Sequence, residues 1–196
     1  MRLVIALLFA LGATPAAADS LSVDLRAFGG CTAVRASKLG QQLLASEPGS
    51  SAERGMLDRI YDRIGTCLTY DAMHAPVTRL RGAVAEGLIA TSLGGAAMRQ
   101  PTVQPIFARD ASVSGSRQRT NAEIYGFGQC VVAAQPIAVR SLLDTAVDTP
   151  AERLAVQALR PTLAPCLSNA SALRLDRPTL RAVLAESLYT LTGGAR

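Results

Sequence analysis

Apolar residues recur every three or four positions along most of the chain. The clearest stripe runs through Leu80, Val84 and Leu88, and the same pattern returns at 180–188. This spacing matches one face of an α-helix, whose period is 3.6 residues. Aromatic residues make up only 4% of the chain, so the core depends on aliphatic side chains and alanine, which favours packed helices over sheets. The pattern therefore predicts an all-α protein.

The four cysteines reveal an internal repeat. Cys31 and Cys67 are 36 residues apart, and so are Cys130 and Cys166, at a shift of 99 residues. With one extra residue later in the second copy, 15 of 52 aligned positions are identical. A biased composition alone would give roughly five identities. The sequence thus predicts two pseudo-symmetric copies of one unit.

Each copy is predicted to contain three helices. The first covers about 31–46 in one copy and 130–145 in the other, where apolar residues keep helical spacing. The third begins after Pro76 or Pro178 and carries the apolar stripe. A unit of about 65 residues buries only a modest core by itself. We therefore expect the two three-helix units, each stapled by one disulfide, to pack as one helical domain.

The second helix of each copy opens with a capping signal. Ser50 precedes Glu53 by three residues, and Thr149 precedes Glu152 in the same way. In a capping box these side chains satisfy backbone N–H groups that the first helical turn leaves exposed. Pro161 lies inside the second helix of the second copy, where we expect it to kink or restart the helix.

The first eighteen residues are predicted to be an export signal. Arg2 is followed by an apolar stretch at 3–11 and by three alanines at 16–18, a pattern typical of a secretory signal peptide. No later segment offers about 20 uninterrupted apolar residues, so no membrane span is expected. We expect a secreted, soluble protein of the periplasm. The predicted organisation is a signal peptide at 1–18, a first helical unit at 19–98, a basic connector at 99–124 and a second helical unit at 125–196.

Helix geometry predicts that the cysteines pair within each copy. Two antiparallel helices of about 15 residues have similar lengths, so a Cys that opens the first and a Cys that closes the second lie at the same end. Oxidation is expected in an exported chain. Among three connectivities we predict the disulfides Cys31–Cys67 and Cys130–Cys166. A zinc site is disfavoured because structural sites bring two ligands within two to four residues, and no metal or cofactor is predicted.

Three short motifs occur in both copies. They are Phe-Gly-x-Cys at 28–31 and 127–130, Cys-Leu at 67–68 and 166–167, and Leu-Arg-x-x-x-Ala-Glu-x-Leu at 80–88 and 180–188. Through these motifs the chain resembles an uncharacterised family of small secreted bacterial proteins with a Cys-containing helical repeat. The resemblance covers most of the mature chain. It implies a location in the bacterial envelope, and it transfers no activity, ligand or site residue.

Little in the sequence points to catalysis. His74 is the only histidine, and it has no counterpart in the second copy, so we interpret it as a solvent-exposed loop residue. Without a second histidine a histidine-rich metal site is excluded, and no motif surrounds a candidate serine nucleophile. Two carboxylates held across a cleft could hydrolyse glycans, but the sequence singles out no such pair.

Charged residues of the third helix recur between the copies. They are Arg81 and Glu86 in the first copy and Arg181 and Glu186 in the second. On a helical wheel Arg81 borders the apolar stripe, whereas Glu86 points away from it, towards solvent or a neighbouring element. The favoured interpretation is an ion pair between helices or between repeats. The alternative is a repeated polar contact for a partner.

The connector between the copies is locally basic. Arg99, Arg109, Arg117 and Arg119 are set against a single acid, Asp110. A solvated linker is the simpler interpretation. The functional alternative is a loop in which Arg109, Arg117 and Arg119 contact an anion or a partner.

Composition and export narrow the functions that fit. A net charge of +5 is mild for 196 residues, and export argues further against nucleic-acid binding. The leading hypothesis is a non-catalytic binding or scaffolding module of the cell envelope, with an envelope protein or a small ligand as partner. Alternatives are a small-ligand-binding protein with a pocket between the units and a carboxylate-dependent enzyme. An exposed apolar patch would favour scaffolding, a pocket with convergent polar groups would favour a ligand, and paired acids with raised pKa would favour an enzyme.

Overall fold

The computed structural model describes residues 20–92, 116–167 and 175–192, and every regular element in these ranges is helical. The predicted signal peptide, residues 93–98 of the predicted first unit and residues 99–115 of the predicted connector lie outside the described residues. The first unit contains α1 (Ser20–Arg35), α2 (Ser37–Ala45), α3 (Ser51–Ile64), a 3₁₀ turn (Gly65–Cys67), α4 (Tyr70–Met73) and α5 (Val77–Ser92). The second contains α6 (Ser116–Ala134), α7 (Pro136–Leu143), α8 (Pro150–Leu167) and α9 (Arg177–Leu191). The predicted all-α fold is confirmed.

The helix predicted at 31–46, and its counterpart at 130–145, is two helices rather than one. The break falls at Ala36 in the first unit and at Gln135 in the second, with φ near −137° and −143°. Pro136 explains the second break, because a residue before proline avoids the α region. Backbone hydrogen bonds from Ala36 N to Thr32 O (2.8 Å) and from Gln135 N to Val131 O (2.9 Å) cross the break, so the chain bends without leaving these donors unpaired.

Both predicted capping boxes are present. Ser50 Oγ accepts from Glu53 N at 3.1 Å, and Glu53 Oε2 accepts from Gly49 N at 2.8 Å. Thr149 and Glu152 repeat this exchange at the start of α8. The four bonds satisfy N–H groups that have no partner inside their own helices. Residues close in sequence therefore determine where α3 and α8 begin.

The expected restart at Pro161 is wrong, because α8 runs without interruption through both Pro161 and Pro165. Both prolines are exposed. The carbonyl groups that lose a helical donor at these positions can therefore bond to water, which lowers the cost of an internal proline.

The centre of the molecule is the crossing of α5 and α9, one helix from each unit. Their backbones meet where a Cβ at Gly82 would lie 2.3 Å from Cα of Ala182, so only glycine fits there. The backbones of α1 and α5 approach equally closely, because a Cβ at Gly29 would lie 1.9 Å from the carbonyl oxygen of Ala83. Helix α6 packs on α9 in the corresponding place. The two units thus form one packed domain.

The two predicted disulfides are present. Cys31 bonds to Cys67 and Cys130 to Cys166, with Cα atoms 6.2 Å and 5.7 Å apart. The geometry behind the prediction is only partly right, since Cys31 lies near the end of α1 and does not open a helix. Both bridges nevertheless join the helix that packs on the centre to the end of the capped helix. No helix in the described ranges is long and apolar enough to cross a membrane.

Candidate functional site

Arg81 lies at the α5–α9 crossing and is fully buried, with 0% of its side chain exposed. Its guanidinium binds Glu186 of the other unit, through Nε to Oε1 at 3.0 Å and Nη2 to Oε1 at 2.6 Å. Nη1 donates to Glu53 Oε1 at 3.0 Å and to the carbonyl oxygen of Leu43 at 2.9 Å. One arginine therefore ties α5 to the end of α2, the start of α3 and the opposite unit.

Arg181 makes the same contacts from the second unit. It binds Glu86 through Nε to Oε2 at 3.1 Å and Nη2 to Oε1 at 2.6 Å. Nη1 donates to Glu152 Oε1 at 3.1 Å and to the carbonyl oxygen of Leu142 at 3.0 Å. The predicted ion pair between repeats is thus found twice, with the partners exchanged between units.

These partners explain how each arginine can be buried. The carbonyl groups of Leu43 and Leu142 lie in the last turns of α2 and α7, where each also accepts a backbone N–H from the residue three positions on, at 3.1 Å. The capping glutamates use one oxygen for the backbone and the other for the arginine. Buried charge is tolerable when it is paired and its hydrogen bonds are satisfied.

The two centres differ in what covers them. Tyr125 of α6 covers the first centre, with its ring centroid 5.8 Å from Arg81 Cζ. At a shift of 99 the residue equivalent to Tyr125 is Arg26 of α1. Arg26 reaches outward from the second centre with 45% of its side chain exposed. We call Arg81, Glu186, Glu53 and Tyr125 the sealed network, and Arg181, Glu86, Glu152 and Arg26 the open network.

A cleft of about 450 Å³, including its space open to solvent, lies over the open network. Both units contribute to its walls. The polar lining comes from Ser22, Arg26, Arg79, Glu86, Asp148, Glu152 and Arg181, and the remainder from Leu25, Gly82, Ala83, Val147, Pro178 and Ala182. The alternative hypothesis of a small-ligand-binding protein predicts a pocket between the two units, and this cleft lies there.

Two further charges distinguish the open side. Arg177, whose counterpart in the first unit is Val77, pairs with Asp148 and lies 3.0 Å from Glu152 Oε2 through Nε. Asp148 has a left-handed backbone with φ of 58°, and its counterpart Gly49 has φ of 86°. An aspartate in this conformation costs backbone energy that glycine avoids. Aspartate also places a carboxylate in the cleft, where it pairs with Arg177.

Burial acts on the titrating groups of the sealed network. Burial raises the pKa of Glu186 above its ordinary value, although Arg81 opposes this. Burial likewise raises the pKa of Tyr125 well above 10.0, helped by the charge of Glu186. For Arg81 burial acts to lower the pKa, but Glu186 outweighs it and the pKa is raised. The guanidinium therefore stays charged, and the Tyr125 hydroxyl stays neutral at neutral pH.

The remaining sequence-predicted residues contribute less. Arg109 lies outside the described residues, and Arg117 and Arg119 belong to the first turns of α6, so part of the predicted connector is helical. His74 is exposed, as predicted, and its Nδ1 lies 2.8 Å from the carbonyl oxygen of Tyr70. His74 thus lies at the end of the short helix α4, where its ring contacts the helix backbone.

Sequence reasoning missed the residues that separate the two centres, namely Arg26, Tyr125, Asp148 and Arg177. The aligned segment began at Phe28, so the Arg26–Tyr125 difference fell two residues before it. Positions where two repeats differ in charge are the signal that would have found them.

In the described ranges, no group of three His, Cys, Asp or Glu residues is placed to hold a metal ion. In comparisons with known proteins, no protein-family model, no curated protein and no solved structure matches this chain.

Proposed function

We propose that the protein is a non-catalytic binding protein of the cell envelope whose ligand site is the cleft over the open network. The observation that carries the proposal is the unequal covering of two otherwise equivalent centres. Tyr125 fills the space over one centre, whereas Arg26 leaves a cleft with convergent polar groups from both units over the other. Small-molecule sites typically combine such polar groups with apolar walls at the meeting of two structural units.

The pairing of the acids favours binding over acid–base catalysis. Glu86 and Glu152 are each held by Arg181, and Asp148 is held by Arg177. A catalytic acid or base must be available to exchange a proton with its substrate, and these carboxylates are already engaged by guanidinium groups. The raised pKa of Glu186 belongs to a fully buried group outside the cleft.

The exposed apolar residues give scaffolding less support. The large ones in the described ranges are distributed over five helices: Val23 and Val34, Tyr70 and Met73, Val77, Ile137, and Leu154. Single exposed apolar side chains are common on protein surfaces. The envelope location rests on the predicted signal peptide, and two disulfides agree with an oxidising compartment.

Ligand screening of a cleft-blocking variant tests the proposal. Arg26→Tyr copies the residue that covers the sealed network and should fill the cleft. Val34→Tyr places the same residue on the same helix at a position with 76% exposure and serves as matched control. Ligand-observed NMR of a fragment library should give compounds that lose binding to Arg26→Tyr and keep it with Val34→Tyr. A library that yields no compound with this behaviour would refute the proposed site.

A further inference from the structure

We infer that the cleft over the open network binds a monovalent organic carboxylate with a small apolar body, and that Arg26 is its anchor. The inference rests on the proposed function and adds the chemical class of the ligand. It is carried by the charges that the cleft presents to solvent, by guanidinium groups with unused donors, and by the apolar lining beside them.

Of the charged side chains that line the cleft, Arg26 is by far the most exposed. Only 3% of the Glu152 side chain is exposed, and Glu86 and Asp148 are mostly covered. Each of these carboxylates already binds an arginine. Arg26, by contrast, is 45% exposed. A ligand entering the cleft therefore meets a guanidinium before it meets a carboxylate.

Arg26 retains most of its hydrogen-bonding capacity. Nη1 donates to the carbonyl oxygen of Thr145 at 3.0 Å and lies 3.8 Å from Glu86 Oε1. Its Nε and Nη2 have no partner in the part of the chain that the structure describes. A guanidinium carries five N–H donors in a planar fork, and two of them can bind one carboxylate together. The contact with Thr145 holds this fork at the cleft.

Arg79 supplies a second set of donors in the same lining. Its Nε donates to Thr179 Oγ1 at 3.1 Å and its Nη2 to Asp176 Oδ2 at 2.5 Å. Nη1 is left without a partner among the described residues. Arg79 is thus fixed by the second unit while one amino group remains for a ligand.

The rest of the lining selects the body of the ligand. Leu25 and Ala83 come from α1 and α5, Pro178 and Ala182 from α9, and Val147 from the connection between α7 and α8. These side chains offer no hydrogen bonds, so an apolar group placed against them loses nothing and is removed from water. The limited volume suits a body of a few carbon atoms.

The acids near Arg26 favour a singly charged carboxylate over a doubly charged phosphate as the ligand. Glu86 lies directly behind Arg26 and Asp148 lies in the same lining. Both would repel a dianion more strongly than a monoanion. A single carboxylate satisfies the arginine fork without placing a second negative charge near these acids.

Titration of the disulfide-bonded protein with matched probes tests the inference. The probes are isovalerate, its neutral amide isovaleramide, and inorganic phosphate, followed by ¹H–¹⁵N NMR that includes the arginine Nε–Hε signals. We expect isovalerate to shift the Arg26 Nε–Hε signal and the backbone signals of Leu25 and Ala83. Isovaleramide should bind at least about tenfold more weakly, because a charged hydrogen-bonded pair is lost.

Variants of Arg26 supply the second readout. Arg26→Gln should weaken isovalerate binding by about tenfold or more, Arg26→Lys should weaken it less, and Val34→Gln should leave it unchanged. N-acetylglycyl-leucine, compared with its C-terminal amide, distinguishes a peptide carboxylate from a free acid. Binding of either carboxylate supports the inference.

The inference and the proposed function fail in different ways. Equal binding of isovalerate and isovaleramide, tighter binding of phosphate, or no effect of Arg26→Gln would overturn the carboxylate inference. The cleft would still be a binding site if neutral compounds bound it and lost binding to Arg26→Tyr. Absence of any compound sensitive to Arg26→Tyr would overturn both.

Discussion

The sealed and open networks share one arginine and two glutamates but differ in the residue that lies over them, Tyr125 in the sealed network and Arg26 in the open one. In each, an arginine from one unit binds a glutamate from the other unit and the capping glutamate of its own. Glu186 is 1% exposed beneath Tyr125, whereas Glu86 is 17% exposed beside Arg26. The same arginine–glutamate contact is thus buried structure on one side and forms the floor of a cleft on the other.

This difference teaches that function need not lie in the residues that the repeats share. Shared residues hold the two units together, and the two centres differ in the residue at the rim, Tyr125 over one and Arg26 beside the other. Arg26 and Tyr125 occupy equivalent positions on equivalent helices. The comparison therefore predicts that energetic effects concentrate on the sealed side and binding effects on the open side.

The largest effect is expected from Arg81→Leu. It leaves Glu186 and Glu53 buried without their cation, so we expect a loss of about 3–5 kcal/mol in the free energy of unfolding. Arg181→Leu should cost less, because Glu86 can be hydrated through the cleft. Urea unfolding with both disulfides intact measures the two variants. Equal losses would contradict the distinction between sealed and open.

Removing a disulfide compares the units by a different route. Each bridge joins cysteines 36 residues apart, so the chain-entropy contribution is the same in both. We expect Cys31→Ala/Cys67→Ala and Cys130→Ala/Cys166→Ala each to lose roughly 2–4 kcal/mol. Denaturant unfolding of the two double variants checks this. Losses that differ by more than about 1 kcal/mol would show that native packing, not loop closure, dominates.

Much of the architecture could be read from local signals. The capping residues Ser50 and Glu53 fix a helix start because their partners lie three or four residues away. The cysteine pairing was predicted from the repeat and from helix geometry, although Cys31 lies near the end of α1 and does not open a helix. The breaks at Ala36 and Gln135 were missed, because helical periodicity continues across them while the backbone changes direction.

The candidate site was less accessible from sequence. The pairing of Arg81 with Glu186 joins residues 105 positions apart and depends on how α5 crosses α9. Helical-wheel reasoning placed Glu86 away from its own apolar stripe but did not show which residue would meet it. The cleft depends on which side chain covers each centre, Tyr125 or Arg26. The two residues could be compared only once the structure showed that both lie over equivalent centres.

The rim residues provide a test with a smaller expected effect. Tyr125→Phe removes a buried hydroxyl group of the sealed network and should cost about 1 kcal/mol. Arg26→Met, at the equivalent position, removes a largely exposed charge and should cost less than about 0.5 kcal/mol. Thermal and urea unfolding measure both. A larger loss for Arg26→Met would mean that Arg26 stabilises the fold and is not reserved for a ligand.

The smallest effect is expected at the ion pair between Arg79 and Asp176, on the edge of the cleft. Burial acts to raise the pKa of Asp176, but hydrogen bonds from Thr179 and the charge of Arg79 outweigh it and the pKa is lowered from 3.8. A lowered folded-state pKa means that the carboxylate stabilises the fold above its unfolded pKa, and this contribution is lost as pH falls through the folded pKa.

Asp176→Asn keeps the acceptor that caps α9 and removes the charge. Because 57% of the Asp176 side chain is exposed, solvent screening should limit the loss to about 0.2–0.5 kcal/mol near neutral pH. The difference from the unmodified protein should shrink towards zero as the pH falls below 3.8 and as salt is added. Asp144→Asn is the matched control, since Asp144 is 61% exposed and pairs with Arg140 within one unit. A difference that grows in acid would reverse the sign of the argument and remove this pair from the forces that join the two units.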